Sequence, residues 1–240
     1  MARLTRLARL VAVLSIAGAA AAPQARAADG DVRLSDERTL TRWAYPAGAG
    51  WVRSRPDPAA PRIVRLRRLT EDGFPELYVA LVARVGTDGS IWVRIRLPMR
   101  PNGTTGWVLR RRLGPWTTVR TALDIDRVRL RAVLRREGRV VWRARVGVGA
   151  PGTRTPDGDF YVREKIRNLR GDPLYGPWAI GTSAYSALSE WPGGGVVGIH
   201  GTDRPGLIPG RPSHGCIRLR NGDVTELVQK LPLGTPIHIH

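Results

Sequence analysis

Residues 213–219 of this chain read SHGCIRL, and this stretch contains Cys216, the single cysteine among 240 residues. His200 lies sixteen residues upstream and is followed directly by Gly201. A lone cysteine cannot close an intramolecular disulfide, so its thiol is either a small buried apolar group or a reactive one. A thiol with a histidine nearby and a glycine beside it is what nucleophilic acyl transfer requires. The sequence therefore predicts Cys216 as a nucleophile and His200 as its general acid and base.

The first residues are typical of an export signal. Three arginines precede an apolar run of 13 residues at 10–22, and the small-x-small triplet ARA follows at 25–27. The run is too short to span a bilayer comfortably, so we predict a signal peptide over 1–27 that is removed after export. The alternative is an uncleaved membrane anchor. Either way we expect the protein outside the cytoplasm, in the periplasm or the cell wall.

The chain is strongly basic, with 39 Lys and Arg against 20 Asp and Glu and a formal net charge of +19. Such a charge holds an exported protein near anionic wall polymers or the membrane surface by long-range attraction. Nucleic acid is the other common partner of a basic protein, but export and the lack of a nucleic-acid motif argue against it.

The N-terminal half predicts a small β-barrel. Residues 28–42 are polar and aperiodic and are expected to form a linker, whereas 43–114 contain short alternating segments separated by Gly- and Pro-rich turns. The WVRI sequence at 92–95 and the GWV sequence at 106–108 resemble bacterial SH3-like domains. We therefore expect an SH3-like domain over 43–114.

A second unit, with a mixed and β-rich pattern, is predicted over 118–240. A hairpin turns at Glu137, one short strand ends at His200, and another begins directly after Cys216. We interpret 163–195, which are rich in Gly, Pro and aromatic residues, as long loops able to cover a site. Apolar residues at helical spacing predict one amphipathic helix that starts with a capping box at Asp223, and a final strand follows it.

The remaining candidates support the thiol and the imidazole. The amides of His214, Gly215 and Cys216 are candidate donors of an oxyanion hole, and the glycine lets a substrate carbonyl approach closely. The histidine is expected to form an ion pair with the thiolate, with the carbonyl of Gly201 as a candidate orienting acceptor. Ser213 opens the motif and belongs to the same supporting group. The His214 side chain has two open interpretations, one structural and one functional.

Other polar and aromatic residues are weaker candidates. Arg218 is either a carboxylate-binding group or an exposed strand residue, and Trp178 and Tyr185 either line a cleft or pack in a core. His238 and His240 lack a third ligand, so we expect them on the surface. We predict no metal and no cofactor.

Three motifs together resemble the L,D-transpeptidases with a YkuD-type catalytic domain. They are HGT at 200–202, SHGCIRL at 213–219 and TPDGDF at 155–160. The resemblance covers residues 120–240, half of the chain. It implies a mostly β fold, with Cys216 as the nucleophile and the histidine as general acid and base.

The resemblance also implies a substrate, the stem peptides of peptidoglycan. The thiol would attack the carbonyl of the third stem residue, a diamino acid, and release the terminal D-alanine. An amine on a neighbouring stem would then accept the acyl group and form a 3→3 cross-link. With water as the acceptor, the same site is an L,D-carboxypeptidase. A protein of another class, a wall-binding protein with an inert catalytic domain, is the third possibility.

Overall fold

The computed structural model describes residues 30–168, 171–190 and 192–240 of the chain. The signal peptide predicted at 1–27 lies outside these residues. Two β-sheets account for most of the described structure, together with a single described α-helix and short 3₁₀ turns. The prediction of a mostly β fold is therefore confirmed.

The first sheet has eight strands, and every pairing within it is antiparallel. Its strands are β1 (Val32–Arg33), β2 (Thr41–Ala44), β3 (Trp51–Arg53), β4 (Arg62–Arg65), β5 (Tyr78–Val85), β6 (Ile91–Arg96), β7 (Thr105–Leu109) and β8 (Thr117–Val119). The order is β4-β3-β7-β6-β5-β2-β8, with β1 also paired to β5. The sheet thus extends beyond 43–114 at both ends, and β1 lies in the stretch expected to be a linker. The SH3-like assignment of this unit stays a prediction.

The second sheet has ten strands and mixed pairing. Its strands are β9 (Thr121–Asp126), β10 (Arg131–Arg136), β11 (Arg139–Arg145), β12 (Gly147–Gly149), β13 (Gly158–Arg167), β14 (Trp178–Tyr185), β15 (Val196–His200), β16 (Gly210–Ser213), β17 (Ile217–Arg218) and β18 (Pro236–Ile239). The order is β11-β10-β9-β18-β13-β14-β15-β17-β12-β16. The predicted hairpin is the β10–β11 pair, which turns at Glu137.

Two parts of this sheet differ from the sequence prediction. Residues 163–195 do not form long loops throughout, because the end of β13 and all of β14 lie there and pair with each other. The last six residues of β14 are all buried, so the segment lacks the alternation that reveals a half-exposed strand. The strand β9 has no counterpart in the sequence prediction.

The helix α1 (Asn221–Lys230) presents the predicted apolar face, with Val224, Leu227 and Val228 buried. It begins two residues before the expected capping box, and its N-cap, Arg220, makes no side-chain cap hydrogen bond. The predicted box at Asp223 is therefore wrong. The Asn221 side chain points outward from the first turn and accepts a hydrogen bond from the Thr202 amide at 2.9 Å.

Polar side chains buried between the two sheets join them. Arg163 on β13 forms a two-pronged ion pair with Glu76, with 3.0 Å from Nε to Oε1, and both side chains have 0% exposure. The Tyr161 hydroxyl donates to the carbonyl oxygen of Leu77 at 3.0 Å. Separating the two units would leave the buried charge of Arg163 without its partner, so these contacts fix how the two units meet.

His238 is a second bridge between the units, and the prediction that it lies on the surface is wrong. Its side chain is buried on β18, with Nδ1 at 2.7 Å from Asp159 Oδ1 and Nε2 at 2.7 Å from the carbonyl oxygen of Glu37. The alternation along the last strand placed it beside His240, which is exposed. The contact between His238 and Glu37 joins distant parts of the chain, so no pattern in the sequence around His238 indicates its burial.

Replacing Glu76 with alanine leaves the buried Arg163 guanidinium without its main partner. We expect Glu76→Ala to lower the free energy of unfolding by about 3–5 kcal/mol, measured by urea denaturation. As a control, Asp31→Ala removes an ion pair with Arg84 whose side chains are 39% and 47% exposed, and we expect a change below about 1 kcal/mol. Similar small losses in both variants would contradict the assigned role of the buried pair.

Candidate active site

The parallel pairing of β15 and β17 brings His200 and Cys216 together. Ile199 is the register partner of Ile217, so Cys216, one residue before β17, lies opposite Gly198. The amide of Gly198 donates to Cys216 Sγ at 3.4 Å. A Cβ placed on Gly198 would lie 3.9 Å from His200 Cδ2 and 4.0 Å from that sulfur. The thiol and the imidazole therefore border the same small space above Gly198.

The imidazole of His200 is buried and held in one orientation. Its Nδ1 lies 2.7 Å from the carbonyl oxygen of Gly201. A carbonyl can only accept a hydrogen bond, so Nδ1 carries the proton and the Nε2 lone pair is left to act as a base. Burial lowers the pKa of His200 to about 4, against the opposing effect of this hydrogen bond. The ring of Tyr175 packs on the imidazole with its centroid 5.0 Å away.

The thiol is also kept neutral in the resting site. Burial raises the pKa of Cys216, although the Gly198 hydrogen bond and the positive charge of Arg218 act in the opposite direction. Burial disfavours both charged forms, so these pKa shifts favour a neutral thiol and a neutral imidazole over the thiolate–imidazolium ion pair, which stays a prediction.

Side-chain hydroxyls fix the loop that carries the cysteine. Ser213 Oγ donates to the carbonyl oxygen of Cys216 at 2.6 Å and accepts from the Gly215 amide at 3.2 Å. Thr155 Oγ1 donates to the carbonyl oxygen of Gly215 at 2.8 Å, and this glycine has a φ of +126°. Its amide is thus engaged, which leaves those of His214 and Cys216 as the predicted oxyanion donors.

The first sheet reaches this loop through Arg100 and Ser186. The guanidinium Nη2 of Arg100 donates to the carbonyl oxygen of Ser186 at 2.8 Å. The hydroxyl of Ser186 in turn donates to the carbonyl oxygen of His214 at 3.3 Å. His214 is exposed, and its backbone carbonyl takes part in this hydrogen bond. Sequence reasoning missed Thr155, Ser186 and Arg100 as supporting residues.

A family model for the L,D-transpeptidase catalytic domain, YkuD, matches residues 120–239, half of the chain. The chain belongs to this family. It is 38% identical over 95 residues to the Bacillus subtilis protein named L,D-transpeptidase YkuD, covering 40% of this chain and 51% of that protein. It is 31% identical over 110 residues to the Escherichia coli protein named L,D-transpeptidase YbiS, covering 38% and 35%. The matched region thus spans about half or less of these relatives.

Among solved structures, the fold is similar to that of a mutant L,D-transpeptidase from Enterococcus faecium. The two are 26% identical, with a TM-score of 0.40, and the match covers 50% of this chain and 49% of that one.

The predicted substrate-binding residues of this L,D-transpeptidase domain lie in different places. Arg218 is the register partner of His200, and its buried Nε has no hydrogen-bond partner within the described residues. The Tyr185 hydroxyl lies between the two sheets, where it donates to Glu71 Oε1 at 2.5 Å. Trp178 packs against the main core. The structure therefore brings Arg218 to the site and places Tyr185 in the interface.

Asn221 and a close backbone contact hold the carbonyl that orients the histidine. Asn221 accepts from the amide of Thr202, the residue after Gly201. A Cβ on Gly201 would lie 2.3 Å from Asn221 Oδ1 and 3.0 Å from Gly176 Cα, so this position favours a glycine. Sequence reasoning missed Asn221, because its role depends on a contact 19 residues away.

The described residues contain no group of three or more His, Cys, Asp or Glu side chains able to hold a metal ion. Within the same ranges, every helix is too short or too polar to cross a bilayer.

The buried neutral state of His200 predicts a pH-dependent loss of stability. The unfolded imidazole binds a proton below about pH 6.5, whereas the folded one does so only near its pKa of about 4. Its contribution is therefore lost as the pH falls through this window, by about 2 kcal/mol between pH 7 and pH 5. Urea unfolding at both pH values should show a smaller loss for His200→Gln. Equal losses in the two proteins would contradict the burial of a neutral histidine.

Proposed function

We propose that this protein is an exported L,D-transpeptidase that forms 3→3 cross-links between peptidoglycan stem peptides. The observation that carries the proposal is the placement of the Cys216 thiol and the His200 imidazole above Gly198, within a domain of this family. The basic charge and the predicted signal peptide support a place in the cell envelope, beside anionic wall polymers or the membrane surface.

The first half-reaction is acylation. Nε2 of His200 accepts the proton of the Cys216 thiol as the sulfur attacks the carbonyl carbon of the third stem residue. The tetrahedral oxyanion forms within reach of the backbone amides of the cysteine loop. The bond to D-alanine then breaks, its nitrogen takes the proton from the imidazolium, and a thioester remains on the enzyme.

The second half-reaction transfers the acyl group. An amine on a neighbouring stem loses a proton to His200 Nε2 as it attacks the thioester carbonyl. An amide bond forms, and the sulfur leaves and recovers a proton from the imidazolium. A water molecule in place of the amine would give a tripeptide, which is the carboxypeptidase outcome. The neutral resting pair suits both steps, because the imidazole begins each one as a base.

Arg218 is proposed to bind a carboxylate of the stem peptide. It lies beside His200, and its Nε has no partner among the described residues, so a ligand carboxylate would satisfy a buried donor. The positive charge would also hold the anionic peptide close to the thiol.

Analysis of muropeptides by mass spectrometry tests the reaction. After incubation with tetrapeptide-rich sacculi, we expect new 3→3 dimers from the protein and none from Cys216→Ala, which should fold normally because the thiol has one weak contact to replace. Tripeptides without dimers would overturn transpeptidation in favour of hydrolysis. Dimers formed by Cys216→Ala would remove the cysteine from the mechanism altogether.

A second test concerns the arginine. We expect Arg218→Gln to raise KM for a tetrapeptide donor about tenfold, with a smaller change in kcat, because the lost contact is made in the bound state. Arg204→Gln, which removes the same charge from an exposed position after Thr202, serves as the control. Release of D-alanine provides the measurement, and equal KM values in the two variants would contradict carboxylate binding by Arg218.

A further inference from the structure

The first sheet contains a pocket that the proposed reaction does not use. Its volume is about 320 Å³, and it is lined by residues of β3, β4, β6 and β7 together with the turn after β7. Two indoles, those of Trp51 and Trp92, contribute to the lining, and three guanidinium groups, those of Arg53, Arg65 and Arg112, surround them. Aromatic surfaces beside convergent polar groups are typical of ligand sites.

The indole of Trp51 is not explained by core packing. Val52, the next residue on β3, has 0% exposure and belongs to the apolar core of the sheet, so Trp51 points to the opposite face. Its side chain is only partly buried there. A large aromatic group in a concave outer face is positioned to stack on a ligand ring.

The charge around the indole is positive and largely uncompensated. Arg62 and Arg65 lie over the Trp51 ring as cation–π contacts, with their guanidinium carbons 4.9 and 4.7 Å from its centroid. The Arg112 guanidinium has no hydrogen bond or ion pair within the described part of the chain, and its stem lies against Gly50. None of the described residues that line the pocket is acidic.

A carboxylate does approach one lining residue. Asp88 Oδ1 accepts from Trp92 Nε1 at 3.1 Å and from the Ser90 amide at 3.1 Å. This carboxylate is held by its own turn and completes the hydrogen bonding of the buried indole. It forms no ion pair with the arginines around the pocket, so their charges are available to an anion.

We propose that this pocket binds an acidic sugar unit, a ring that carries a carboxylate or a phosphate, within an anionic glycan. The acidic group would draw the Arg65 guanidinium away from the Trp51 ring and bind it together with Arg112, and the sugar ring would take its place against the indole. The volume is at the lower end for small-molecule sites, which suits one or two rings and excludes a nucleic-acid duplex. The site is separate from Cys216, so it would stand even if the proposed reaction failed.

Calorimetric titration of the full chain with three ligands tests the proposal. Trigalacturonate supplies rings with carboxylates, maltotriose supplies neutral rings, and tripolyphosphate supplies charge without rings. We expect trigalacturonate to bind at least about tenfold more tightly than either of the others, because stacking and charge act together. A comparison of the affinities for glucose 6-phosphate and galacturonate then shows whether a phosphate or a carboxylate is preferred. Binding of either sugar supports the proposal.

Matched variants locate the binding. We expect Trp51→Ala and Arg112→Ala each to weaken trigalacturonate binding about tenfold, and Trp51→Phe to keep most of it. Arg111→Ala removes the same charge from the neighbouring exposed position, which does not line the pocket, and should bind normally. Circular dichroism checks that Trp51→Ala is folded, and Cys216→Ala should bind as the parent does.

Two outcomes would overturn the proposal. Equal binding of trigalacturonate and tripolyphosphate, with no effect of Trp51→Ala or Arg112→Ala, would mean that net charge alone attracts the ligand. No binding of either acidic sugar at millimolar concentration would mean that the pocket holds no such unit.

Discussion

The parallel pairing of β15 with β17 is the constraint on which the site depends. One strand ends at His200 and the other begins directly after Cys216, so a fixed register sets the thiol opposite Gly198. Because neighbouring strands lie about 4.8 Å apart, the two side chains share one space without any long loop to order. The neighbouring strands then bury the imidazole. This burial lowers the pKa of the imidazole, and the hydrogen bond to the Gly201 carbonyl sets which ring nitrogen keeps its lone pair.

Local sequence patterns were sufficient to bring Cys216 and His200 together and to predict part of the fold. Cys216 and His200 could be paired because each borders a short apolar run, and such runs predict adjacent strands. The β10–β11 hairpin and the apolar face of α1 follow the same logic of spacing. By contrast β14, which is buried along most of its length, shows no alternation, and Asp223 is not the cap of α1 although its surroundings have the composition of a capping box.

The residues that support the site are less visible in the sequence for a physical reason. Thr155, Ser186 and Asn221 support the site by hydrogen bonds to backbone groups 60, 28 and 19 residues away. A hydroxyl or an amide that bonds to a distant backbone needs no particular neighbour in its own segment. Such contacts form only when the sheet is assembled, so they can be identified from the structure but not from the local sequence. The same holds for His238, whose partner carbonyl, that of Glu37, lies in the loop between β1 and β2 of the first unit.

The chain of contacts from Arg100 through Ser186 to the His214 carbonyl has a consequence for how such a protein can change over generations. The side chains of Arg163 and Tyr161 extend from the C-terminal half and donate hydrogen bonds to acceptors on the N-terminal half. A recombination event that exchanged the N-terminal half would leave the buried guanidinium of Arg163 without its carboxylate. It would also remove the hydrogen bonds that hold the cysteine loop. The two halves are therefore expected to be inherited as one unit, with new specificity arising on exposed loops and outer faces.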